Sequence, residues 1–272
     1  MKKIIYLLMS LSFVAFVSCS DDKENEQSGS GNVPENSSSV LSSSGKERGH
    51  SYVDLGLPSG TLWATCNVGA ATPQDYGNYY AWGETTTKEI NDWESYKYGA
   101  GTNWTEPQIT KYCSYSKAGK DGFTDNKTIL DPSDDAAYIN WGGKWRVPNK
   151  AQQDELRNEC YWVWTSDYNG SKVSGYIVYQ ARNSNHKGMK TYEDGTPFPS
   201  YTLADAHIFL PAAGGTDHDG VVCWVGTSGN YWANETDGSS WALDITFTDD
   251  GVTTIGGIRG AAQSVRAVIP GK

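Results

Sequence analysis

Ionisable side chains are plentiful in this chain, so the first question is whether any stand at a spacing that does chemistry. Glu84, Glu155, Asp219 and Asp244 could supply the two carboxylates of a glycosidase, but the chain has 32 acidic residues and no flanking motif marks these four. Asp217-His218-Asp219-Gly220 offers the oxygens a hard cation takes. It lacks the further spaced oxygens and terminal Glu of an EF-hand, which favours a plain Asp-rich turn. Gly142-Gly143-Lys144 lacks the spacing of a phosphate-cradling loop. Cys66, Cys113, Cys160 and Cys223 include no C-x-x-C, and the 4 His residues are scattered, so no zinc cluster is implied. Neither a metal nor a cofactor is expected, and the chain does not read as an enzyme.

Recognition is better supplied. The chain has 11 Trp and 17 Tyr against 6 Phe, a skew toward aromatics with a polar handle. Such side chains give large contact area at low entropic cost, and loops on a rigid scaffold can present them.

The elements that would position them are short. Tyr52–Leu55 and Thr61–Thr65 read as strands around the turn Pro58-Ser59-Gly60, and 71–127 reads as loops with one short strand. A helix is expected from Pro132, with acidic residues in its first turn, ending at Gly142-Gly143. A second starts after Asn149, with Gln152 in the capping-box position and Leu156 and Cys160 at helical spacing. Strands follow over 161–165 and 174–179, joined through Asn169-Gly170, then over 207–210, 221–225, 231–233, 241–248 and 264–269. Within 241–248, Trp241, Leu243, Ile245 and Phe247 share one face. Two helices and many short strands make an α+β class.

The first segment stands apart. Met1-Lys2-Lys3 precedes an apolar run, Ile4 to Val17, that is too short to span a bilayer and stops at Ser18-Cys19. That is the shape of a bacterial lipoprotein signal peptide over 1–18, with Cys19 as the acylated residue. Residues 19–49 are polar, rich in Ser, Gly, Asn and Glu, and without aromatics, and read as a flexible tether ahead of one folded domain over 50–272. The acidic Asp21-Asp22-Lys23-Glu24 resembles the surface-export signal of lipoproteins in the Bacteroidetes, which places the chain on the outer membrane, exposed at the cell surface. Formal charge is −10, and loss of Lys2 and Lys3 leaves 20 basic against 32 acidic residues. No basic cluster survives, which argues against nucleic acid and against any membrane contact beyond the anchor. The four remaining cysteines could form two disulfides or stay free.

Several phrases then stand together: Tyr52-Val53-Asp54-Leu55-Gly56-Leu57-Pro58-Ser59-Gly60-Thr61-Leu62-Trp63-Ala64, Tyr79-Tyr80-Ala81-Trp82-Gly83-Glu84-Thr85, Asp134-Asp135-Ala136-Ala137, Trp145-Arg146-Val147-Pro148, Ile208-Phe209-Leu210-Pro211-Ala212-Ala213-Gly214 and Ser264-Val265-Arg266-Ala267-Val268. In this order they resemble the domain family named after the major paralogous proteins of Fibrobacter succinogenes. The resemblance implies a C-type-lectin-like fold, and a display scaffold rather than a catalyst. The more distant formylglycine-generating enzymes of that fold use a cysteine pair near the end, where this chain has only Cys223. Trp63, Trp82, Trp141 and Trp145 are expected in the core. Trp224, Tyr231, Trp232, Asn234, Glu235, Asp237 and Trp241 fall in the region that forms the presenting face of lectin-like relatives, and are the candidate contacts for a glycan or a surface protein. Ser228-Gly229-Asn230-Tyr231-Trp232-Ala233-Asn234-Glu235-Thr236 also echoes Tyr76-Gly77-Asn78-Tyr79-Tyr80-Ala81-Trp82. The earlier copy is expected in the core and the later one on the contact surface.

Overall fold

Helix boundaries show how local chemistry sets the frame. In the computed structural model, which describes residues 44–101, 103–190 and 200–271, Asn149 caps the helix Lys150–Glu159. Its side chain accepts from Gln152 N at 2.8 Å, and Gln152 Oε1 accepts from Asn149 N at 2.9 Å, so both halves of the capping box form. The other α-helix begins later than the sequence suggests, at Ala136, because Pro132–Asp134 makes a 3-10 turn and Asp135 stays extended. The Asp135 carboxylate caps Tyr138 N at 2.9 Å and takes Val147 N at 3.0 Å, which ties the helix start to the strand region behind it. That helix ends at Trp141, before Gly142 at φ 72°.

Residues 1–43, with the signal segment, Cys19 and most of the tether, lie outside the described residues, as do 191–199 of the irregular loop. Among the described residues a strand is already present at Ser44–Glu47, ahead of His50 where the folded part is expected. Ser44–Glu47 pairs with His50–Asp54, and Trp145 Nε1 donates to Glu47 O at 2.9 Å. Main-chain pairing needs no apolar side chain, so the polar composition of this stretch hides the strand. The same sheet continues through Leu62–Ala64 to Val268–Ile269 and brings both ends of the domain together.

The central sheet has the order Gly251–Thr254, Trp241–Thr248, Gly229–Thr236, Ala262–Ser264, Tyr79–Ala81, with Gly257–Ile258 added beside Trp241. A third sheet joins Cys160–Thr165, Gly175–Gln180 and His207–Pro211. The stretch expected as loop with one strand holds three short ones, Tyr79–Ala81, Gly99–Ala100 and Gln108–Ile109, and the last expected strand divides into Ala262–Ser264 and Val268–Ile269. The architecture is mixed and sheet-rich, with two α-helices among the described residues.

Both faces of the central sheet are covered. One core gathers Trp82, Tyr112, Trp145, Trp232 and Ala242, the other Trp63, Trp162, Tyr176, Tyr231, Ile245 and Phe247. Neighbouring residues of a strand point to opposite faces, so Tyr231 and Trp232 enter different cores, each only 2% exposed. The expectation that they contact a ligand is therefore corrected. Both Gly-Asn-Tyr stretches send aromatics into the core: Tyr80 and Trp82 from the first, Tyr231 and Trp232 from the second. They flank the Ala262–Ser264 strand, and their indoles cross over: Trp232 Nε1 donates to Tyr80 O and Trp82 Nε1 to Ala233 O, each at 2.8 Å. Trp63, Trp82 and Trp145 are buried as expected, while Trp141 is half-buried and stacks on His50. Cys66, Cys113, Cys160 and Cys223 are all free thiols.

Candidate functional site

The hairpin Gly215–Thr216/Val222–Cys223 stands beside the central sheet, and its turn is closed by Asp217. The Asp217 side chain accepts from Asp219 N at 3.0 Å and Val221 N at 2.9 Å, which is the work of an Asp-rich turn. After the hairpin, Trp224 turns the chain with φ 60° and remains 57% exposed. A bulky residue in the left-handed region is uncommon and costs free energy, so an exposed Trp held there points to a use for its side chain. Its carbonyl accepts from Ser228 N and Thr227 Oγ1, both at 2.9 Å, which pins the turn.

Across from this turn the strand Trp241–Thr248 begins. The pairing register shifts between Trp232 and Thr236, and beyond the irregularity Trp241 leaves the core face that Ile245 and Phe247 keep. Trp241 is 41% exposed and meets Trp104 edge-on at 6.4 Å. Between Trp224 and Trp241 lies a cavity of about 270 Å³, also walled by Ile255, Ile258, Asp217 and His218.

Its floor is polar and comes from three strands: Asn230, then Asp244 and Thr246, then Gln263. Asp244 is 2% exposed at the base. Gln263 Nε2 donates to its Oδ2 at 2.7 Å, while Gln263 Oε1 is buried without a partner. Thr246 Oγ1 lies 3.0 Å from Asn230 Oδ1 and 3.2 Å from Asp244 Oδ1, and its single proton cannot serve both. Burial pushes the Asp244 carboxyl up to about 6, against the opposing pull of the hydrogen bonds from Gln263 and Thr246. A Cβ at Gly257 would come within 2.4 Å of Gln263 Nε2 and 3.1 Å of Asp244 Oδ2, so a side chain there would push the Gln263 amide aside.

Of the seven expected contacts, then, Trp224 and Trp241 meet at the cavity. Asn234, Glu235 and Asp237 lie elsewhere on or just past the Gly229–Thr236 strand, the side chains of Glu235 and Asp237 in structural roles and Asn234 Oδ1 buried without a partner. Asn234 N donates to Pro148 O at 2.8 Å, Glu235 Oε2 accepts from Lys150 N at 2.7 Å at the helix start, and Asp237 accepts from Ser239 N at 2.8 Å in a turn. Among the four carboxylates considered for acid chemistry, only Asp244 lines the cavity. Glu84 is held by Lys88 at 2.9 Å and Glu155 by Ser59 N at 2.8 Å, so neither is free to pair with it. Asn230, Thr246 and Gln263 were not foreseen. Polar residues inside apolar strands were the one available sign, and it is shared by many structural positions.

Comparison of the chain with protein-family models, with curated proteins and with solved structures finds no match. Among the described residues, no helix is long and apolar enough to cross a membrane.

Proposed function

We propose that this chain is a surface-anchored lipoprotein, acylated at Cys19, whose folded part is a C-type-lectin-like, non-catalytic recognition domain. It resembles the Fibrobacter succinogenes major paralogous family and takes a glycan into the cavity between Trp224 and Trp241. One observation carries the reading: an exposed Trp is kept in a costly backbone conformation at the rim of a cavity with a polar floor. Aromatic walls cover the apolar face of a sugar ring, and floor groups such as Asn230 and Thr246 can meet its hydroxyls.

A fragment spanning 41–272 should bind glycans on an array, with and without calcium, and Trp224→Ala should lower binding about tenfold with an unchanged near-ultraviolet spectrum. A blank array from folded protein overturns the glycan reading. A second reading, a structural part of an envelope or fimbrial assembly, draws on the exposed Val221, Val222 and Val225 of the neighbouring hairpin and turn. Crosslinking in cells from Val222 would recover a protein partner in that case.

A further inference from the structure

Resting on the glycan reading, we infer that the cavity selects uncharged sugars and turns away sugars bearing a carboxylate, with Asp244 as the discriminating group. Two separate features lead there. The first is charge. Among the described residues, Asp217, His218 and Asp244 are the only titratable side chains lining the cavity, and no Lys or Arg is among its walls. His218 sits 3.5 Å from Asp219 at the exposed rim, where solvent screens it. Asp244 takes hydrogen bonds from a neutral amide and a neutral hydroxyl, and no cation forms an ion pair with it among the described residues. Its negative charge therefore acts on the cavity through a poorly screened interior.

The second feature is the balance of donors and acceptors. Asn230 Oδ1 and Asp244 Oδ1 compete for one Thr246 proton. Gln263 Oε1 is also buried without a partner, so acceptors are in surplus on the floor and a ligand that brings donors is favoured. Sugar hydroxyls bring them, whereas a carboxylate offers acceptors alone. Both features penalise the same group, and they are independent: the first depends on the ionisation of Asp244, the second on atom types.

The test uses the purified full chain, with binding followed by tryptophan fluorescence. The probes are methyl glucoside and methyl galactoside, each against its uronide, which keeps its negative charge throughout. At pH 7.5 the uronides should bind at least about tenfold more weakly than the neutral sugars. Asp244→Asn, which keeps the shape and removes the charge, should shrink that gap to about threefold or less. At pH 5 the wild-type gap should narrow by more than that of Asp244→Asn, because only the wild type has Asp244 to take up a proton, whereas any change at the rim beside His218 is common to both proteins. Equal binding of uronide and neutral sugar by the wild type overturns the inference and leaves the glycan reading standing. So does a tenfold gap that survives in Asp244→Asn. If none of the four sugars binds, the glycan reading and this inference fall together.

Discussion

Asp134 and Asp244 are buried alike, at 3% and 2% exposure, yet the protein treats their charges in opposite ways. Asp134 receives Lys97 at 3.1 Å, Lys111 at 2.6 Å and the Tyr112 hydroxyl at 2.6 Å. Burial alone would push its carboxyl up, but the hydrogen bonds from Lys111, Tyr112, Tyr98 and Lys97 outweigh it and hold the group well below the ordinary carboxylate range. The charge is cancelled where it stands, and it braces the loops carrying Lys97 and Lys111 against the approach to the first helix. Asp244 has an amide and a hydroxyl instead, and burial wins. A carboxylate whose charge is cancelled locally serves the fold. One left uncancelled at the base of a cavity is a cost that only a ligand's chemistry can put to use.

The largest effect expected from breaking this contrast is at Asp134. Asp134→Asn leaves the Lys111 ammonium with Asp131 alone, at 2.8 Å, and strips Lys97 of its partner. Urea denaturation at pH 7.5 should show a loss of about 3 kcal/mol. The contribution of Asp134 is complete above its ordinary 3.8 and lost as the pH falls below it, so the two proteins should converge in acid. A loss under about 1 kcal/mol would mean that the lysines do not brace the fold through this carboxylate.

A smaller effect of opposite sign is expected at Asp244. The folded state raises this carboxyl from 3.8 to about 6 and so holds the proton more tightly than the unfolded chain does. Between those values stability falls as the pH rises, and at neutral pH the whole penalty is present, at most about 3 kcal/mol. Asp244→Asn removes it, although the amide has one accepting oxygen where the carboxylate offers two, to Gln263 and Thr246, so the net gain should be about 1–2 kcal/mol at pH 7.5 and nil near pH 4. Asp135, which burial also pushes up, is common to both proteins and cancels in the difference. A variant that is less stable than wild type at pH 7.5 would place Asp244 with Asp134 as a structural charge.

How much of this could be read beforehand depended on range. The Asn149–Gln152 capping box and the Asn169-Gly170 turn are local, and both form as the residues suggest, with Asn169 at φ 52° and Gly170 at φ 78°. The alternation in Trp241–Thr248 was legible as a strand. What it could not reveal was that the sheet is covered on both faces, because the covering comes from afar: Trp232 reaches Tyr80 O, and Gln153 Nε2 reaches Tyr231 O. Period two says that Tyr231 and Trp232 diverge, and says nothing of what awaits each. The cavity was no more legible. Its walls, Trp224 and Trp241, are candidates in the sequence only through the family resemblance, which does not separate them from the buried Tyr231 and Trp232. Its floor is assembled from three strands, and the one sign it carries in the sequence, polar residues such as Asp244 and Thr246 set between Leu243, Ile245 and Phe247, is shared by many structural positions.

The smallest expected change in stability, and the sharpest test of the contrast between brace and cavity, lies at Trp224. With φ at 60° and more than half its surface in water, this side chain contributes little packing and strains its own backbone. Trp224→Gly removes that strain, worth about 1 kcal/mol, and adds a similar entropic cost in the unfolded chain. The two should nearly cancel, leaving the urea midpoint within about 0.5 kcal/mol of wild type. Sugar binding should meanwhile fall about tenfold, since the ring that walls the cavity is gone. Asp134→Asn should do the reverse and cost stability while leaving the affinity of the folded fraction unchanged. If Trp224→Gly instead unfolds the domain, the ring is held in place by packing, and the left-handed turn is a structural feature with no ligand behind it.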